Sequence, residues 1–150
     1  MAPKREFVDS EGVRYDCNGG ESEGFLTKQS AWLKDWRRRY FILKGSKLFF
    51  AKSKNGQPHG MIDLATCTTV KSAELKAQKR NALEVSTPVT TFLMYADTEK
   101  EKDDWIGSIG RAIVRCSSTF QNDGPYNSDD DDDDDQSEAN DDDDSNNPYR

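Results

Sequence analysis

The chain has no long apolar run, one histidine and only three, widely spaced cysteines, and each scarcity closes off a class of function. No stretch approaches the ~20 consecutive apolar residues of a spanning helix, so any membrane contact must be peripheral. Cys17, Cys67 and Cys116 are odd in number and include no Cys-x-x-Cys pair. That argues against a disulfide framework and a zinc site, and for reduced, partly buried thiols in a cytoplasmic protein. With His59 as the lone imidazole, neither a metal site nor a cofactor is expected. No nucleophile–base pair or catalytic motif stands out, so an enzyme is not expected. The opening Met-Ala-Pro-Lys-Arg lacks the apolar centre of a signal peptide, and Ala2 stands where N-myristoylation needs glycine.

What is present is charge, divided unevenly. Residues 1–116 carry 20 Lys and Arg against 15 Asp and Glu, a net of +5, whereas residues 117–150 carry one Arg against 13 acids, a net of −12. The overall −7 therefore hides a mildly basic folding unit, which favours anionic partners. Three segments follow: an extended arm over 1–20 packed loosely on the rest, one domain over 21–116, and an acidic tail over 117–150. The tail, with Asp129 to Asp135 and Asp141 to Asp144, holds too few apolar side chains to offset its ordering entropy and is expected to be disordered.

Within the domain, β-rich runs at 25–28, 36–44, 47–52, 61–64, 68–71, 83–86 and 91–95 predict seven short strands, the pattern of a barrel or sandwich. Gly45-Ser46 reads as a hairpin turn. From Thr98 the spacing changes. Trp105, Ile109, Ala112, Ile113 and Cys116 fall on one helical stripe, with Thr98 and Glu101 as a capping box. Acids in its first half, and Arg111 and Arg115 near an end at about Cys116, suit the helix dipole. Such a helix needs an apolar surface to cover, and the open end of a β-barrel offers one. Trp105 is assigned to the core.

Side chains alternate along a strand. Arg37 and Arg39 share a row with Phe41 and Leu43, Lys28 shares one with Leu26, and Lys52 shares one with Leu48 and Phe50. Three neighbouring strands thus each bring a cation to one end of an apolar interior, where Arg forks can grip phosphate. Gly24-Phe25-Leu26-Thr27-Lys28, then Trp36-Arg37-Arg38-Arg39-Tyr40-Phe41-Ile42-Leu43, then the distal Trp105 resembles the pleckstrin-homology (PH) domain signature. Thr98-Glu99-Lys100-Glu101-Lys102 and Ile106-Gly107-Ser108-Ile109-Gly110-Arg111 are most similar to small plant-type proteins with little beyond one PH domain. The resemblance implies a mainly β fold, a seven-stranded bent antiparallel barrel or sandwich capped by one C-terminal amphipathic helix. It also implies a phosphoinositide site at Lys28, Arg37 and Arg39, with Lys52 as a further phosphate contact.

Trp32-Leu33 in the loop between the first two strands reads as a wedge for the membrane interface, beside Lys34 as an added cation for the headgroup site. The expectation is a monomeric, cytoplasmic module that binds phosphoinositide headgroups in anionic membranes, as an adaptor in trafficking or signalling, with no nucleic-acid partner. The acidic tail leaves a second reading open, an interaction platform for basic proteins such as histones. A barrel that binds a peptide or a small GTPase is a third.

Overall fold

The computed structural model describes residues 4–123, and the acidic run predicted to be disordered lies outside them. Among the described residues there are nine strands: β1 (Glu6–Val8), β2 (Arg14–Asp16), β3 (Ser22–Gln29), β4 (Trp36–Lys44), β5 (Lys47–Ala51), β6 (Pro58–Asp63), β7 (Thr69–Ser72), β8 (Ala82–Ser86) and β9 (Thr91–Tyr95). A single helical turn, α1 (Glu74–Ala77), links β7 to β8, and a long helix, α2 (Glu99–Asp123), follows β9. Strands β3 to β9 make one antiparallel sheet in the order β6-β5-β4-β3-β9-β8-β7.

The seven strands agree with the alternation in the sequence, and β4 and β9 fall where it places them. The sheet is not a closed barrel, because β6 and β7 remain unpaired with each other at its two edges. Its halves instead share one interior. Leu26, Phe41, Leu43 and Leu48 from one half meet Leu83, Val85 and Met94 from the other, and Trp105, Ile109 and Ala112 of α2 fill the space between them. Trp105 is only 6% exposed, in keeping with its place on the apolar stripe. Thr98 caps the helix, its Oγ1 accepting from the Glu101 N–H at 3.1 Å.

Two readings of the sequence need correction. The helix runs on to Asp123 rather than stopping near Cys116, so Arg111 and Arg115 lie inside it and do not complement its C-terminal dipole. The N-terminal arm is not loose. β1 and β2 form a hairpin whose Phe7 and Tyr15 rings each stand 5.9 Å from that of Phe49 on β5. Cys17, just past β2, is fully buried with Tyr40, Ile42 and Phe49 in a second core on the sheet's outer face. Arg5 ties the hairpin down through Glu23 at 2.9 Å. All three cysteines are free thiols, and burial pushes that of Cys67 up to about 11.

Candidate anion pocket

The register of two strands assembles the pocket. Lys28 of β3 lies directly across from Arg37 of β4, and Leu26 from Arg39, so one strand pair projects three cations from the same row. With Ser30, Phe50 and His59 they line a cavity of about 130 Å³ at the end of the interior. The apolar interior becomes a basic mouth over two residues of β4, from Phe41 to Arg39, as period-2 geometry requires.

Lys28 is the most enclosed of the three. Its Nζ sits 5.1 Å from the centre of the Phe50 ring and 5.5 Å from that of Phe92, held by ring quadrupoles rather than by a counter-charge. Burial, and then the nearby Arg39 charge, lower its pKa below the ordinary lysine value. Among the described residues no carboxylate pairs with Lys28 or Arg39. Arg37 is paired with Asp35 at 3.2 Å on the loop side, and Arg39 donates from Nη1 to the Arg38 carbonyl at 3.0 Å. Arg38, one residue out of phase, leaves the pocket. It lies 4.4 Å over the outer Phe25 ring and bonds Asp97 at 3.0 Å.

His59 was not singled out as a wall residue from the sequence, nor was Phe50. Their rings stand edge to face at 5.3 Å. The imidazole pKa is lowered by burial first, then by Arg39, Lys52 and Lys28. Phe50 keeps its place because its partner across the β5–β6 ladder is Gly60. A Cβ on Gly60 would run into the Phe50 ring. Gly60→Ala is therefore expected to tilt the pocket floor and lower stability by about 1–3 kcal/mol. A urea denaturation midpoint equal to that of the wild type would show that the ring has room to move.

The other sequence-derived candidates lie around the mouth. Lys52 follows β5 and is exposed; its charge reaches His59, but its side chain does not line the cavity. Lys34 is exposed, in the left-handed region at φ 60°, and also stays off the wall. The loop between β3 and β4 is pinned at its neck, where the Ser30 N–H donates to the Asp35 carbonyl at 2.7 Å. Beyond that neck Trp32 is 91% and Leu33 66% exposed. Trp36 instead packs on Tyr95 at 5.2 Å. Among the described residues no cluster of His, Cys, Asp or Glu could hold a metal ion, and no helix is long and apolar enough to cross a membrane.

This arrangement matches a known family. The family model of the PH domain covers residues 20–114. The chain belongs to the PH domain family. Pleckstrin homology domain-containing protein 1 of Arabidopsis thaliana is 44% identical over 121 residues, 77% of this chain and 81% of that protein. A PH domain-containing protein of Dictyostelium discoideum is 40% identical over 95 residues, 62% of this chain but only 21% of that protein. Among solved structures, the C-terminal PH domain of pleckstrin in complex with D-myo-Ins(1,2,3,4,5)P5 superposes with a TM-score of 0.53 at 30% identity, over 61% of this chain and 96% of that one. The PH match begins after β2, so the N-terminal hairpin lies outside the matched residues.

Proposed function

We propose that the pocket binds the phosphorylated inositol headgroup of a phosphoinositide and that the protein is a peripheral membrane module, an adaptor in trafficking or signalling. The observation that carries this reading is Lys28, held half-buried on two aromatic rings beside Arg39, with no carboxylate among the described residues to neutralise either. Gathering like charges in a desolvated site opposes folding unless an anion completes it. Arg37 and Arg39 can present planar forks to phosphate oxygens from one wall while Lys28 supplies a point charge from below. The pleckstrin domain of the same fold was solved with an inositol pentakisphosphate, which supports this ligand chemistry.

Trp32 and Leu33 supply the second half of the reading. They stand on the loop joining the two strands that carry Lys28 and Arg37, and burying either in the interfacial layer is worth roughly 1.5–3 kcal/mol.

The test separates headgroup from bilayer. Vesicles carrying each phosphoinositide in turn are sedimented with the wild type, Arg39→Ala and Trp32→Ala, and soluble inositol phosphates are titrated calorimetrically. Arg39→Ala is expected to weaken both interactions by about 30-fold. Trp32→Ala should weaken vesicle binding about tenfold and leave the soluble ligand untouched. If the wild type sediments with no lipid, the reading fails and an interaction platform for basic proteins becomes the better one.

A further inference from the structure

A second groove, lined by acids where the first is lined by bases, opens between β3 and α2. It encloses about 250 Å³ between residues 22–25 of β3 and the first turns of α2, where Glu101, Asp104, Trp105 and Ser108 line it. Three features say what it lacks. The Trp105 side chain is almost wholly buried, yet its indole N–H has no acceptor among the described residues. That Nε1 edge faces Gly24, lying 3.8 Å from where a side chain there would begin. A buried donor without a partner is costly, and an acceptor arriving from outside would recover that cost.

The second feature is the edge of β3. It pairs with β9 only at Thr27 and Lys28, so from Ser22 to Leu26 it is bonded to β4 on one side and to no strand on the other among the described residues. The third is charge. The Glu23 carboxylate is already taken by Arg5 and the Tyr40 hydroxyl, and Asp104 has only the exposed Lys100 one turn away. Glu101 uses its backbone N–H on Thr98; among the described residues it makes no close ion pair, though the charges of Arg38 and Lys100 act on it from a distance. Such a wall repels phosphate and attracts a cation.

We propose that this groove docks a basic segment of a partner protein, with a Lys or Arg side chain reaching Glu101 and Asp104 while a backbone carbonyl accepts from the Trp105 indole. One ligand must bring both a cation and an acceptor, because the indole only donates and the carboxylates only accept. A basic peptide in extended form has both at adjacent atoms. The groove is smaller than a typical small-molecule pocket and suits one long side chain.

The test uses the full chain labelled with ¹⁵N and an end-blocked Lys-Ala-Lys-Ala-Lys-Ala peptide, with the Glu-for-Lys peptide as control. Trp32→Phe and Trp36→Phe identify the three indole signals. The Trp105 indole proton is expected to move downfield and saturate with the lysine peptide, and to stay still with the glutamate peptide. Gly24→Ala places a methyl 3.7 Å from the indole, an ordinary contact that covers its edge without crowding it. That variant, and Glu101→Gln with Asp104→Asn, should each weaken the response about tenfold. Peptide held by the acidic residues past 123 without entering the groove would leave this indole unmoved, which separates the two modes. A stationary Trp105 signal, or an equal response from wild type and both variants, overturns the proposal.

Discussion

Lys28→Met is expected to give a protein that melts higher than the wild type and has lost about 100-fold in affinity for phosphorylated inositol. Both effects come from one atom. In the free protein the Lys28 ammonium is half-buried on Phe50 and Phe92, and burial together with Arg39 lowers its pKa from the ordinary 10.5. The unfolded chain therefore holds this proton more tightly than the folded one, so the charge opposes folding. The opposition is complete below the lowered folded value and fades as pH rises to the unfolded value of about 10.5. Wild-type stability should accordingly gain with pH in the window just beneath 10.5, and that gain should vanish in the Met variant. Met has a similar reach and a polarisable sulfur that suits the two rings. Each kcal/mol recovered raises the melting temperature of a domain this size by about 4–8 °C. Denaturant titrations near pH 7 and pH 10, paired with calorimetry against a soluble inositol phosphate, measure both halves. A Met variant that is less stable would mean that the aromatic floor already compensates the charge. A Met variant that keeps its affinity would remove Lys28 from the site.

Shortening the chain to begin at Asn18 should destabilise it by about 3–5 kcal/mol, the range seen when a large buried side chain is deleted. Domains of this kind rest on about 5–15 kcal/mol in total, so the loss leaves a marginal fold. The hairpin covers an outer face of the sheet that is apolar at Tyr40, Ile42, Phe49 and Met61, and the buried Cys17 leaves with it. The removal also ends the Arg5–Glu23 pair and the bonds of Gln57 to the Glu6 N–H and the Lys4 carbonyl, at 2.8 and 2.7 Å. None of these groups lines the candidate anion pocket. A lower urea midpoint should therefore accompany unchanged affinity in whatever fraction stays folded. Equal midpoints for the full and shortened chains would make the hairpin a passenger.

These two cases also mark what was legible in the sequence. Lys28, Arg37 and Arg39 could be placed together because strand alternation needs no knowledge of the turns. Their cross-strand neighbours then follow from a hairpin register counted back from Gly45-Ser46 and the loop at 29–35. The second wall was hidden by geometry that alternation does not encode. The ladder between β5 and β6 slips at Phe50 and Ala51, so the position of His59 cannot be counted from the β5 row. That Phe50 lies over Gly60 was equally out of reach, since a lone glycine reads as a loop residue. The hairpin was missed because three-residue strands are too short to show a period, leaving Phe7, Val8 and Tyr15 looking like isolated apolar residues in a polar arm. The one-turn α1 carries no side-chain cap to announce it, as Ala73 holds the capping position. The end of α2 was misplaced for a related reason. Ser117-Ser118-Thr119 after Cys116 reads as a break, although Phe120 falls at the next helical spacing and the backbone stays helical to Asp123.

An open sheet has two ends, and here both discourage company. β6 begins at Pro58, which has no N–H to offer a newcomer, and β1 lies against it. β7 is four residues long, carries the exposed Lys71 and has α2 against it. A second copy arriving edge-on at either end therefore meets a missing donor, a charge or an element already in place. Copies brought close together on a crowded surface would jostle without growing into a shared ribbon.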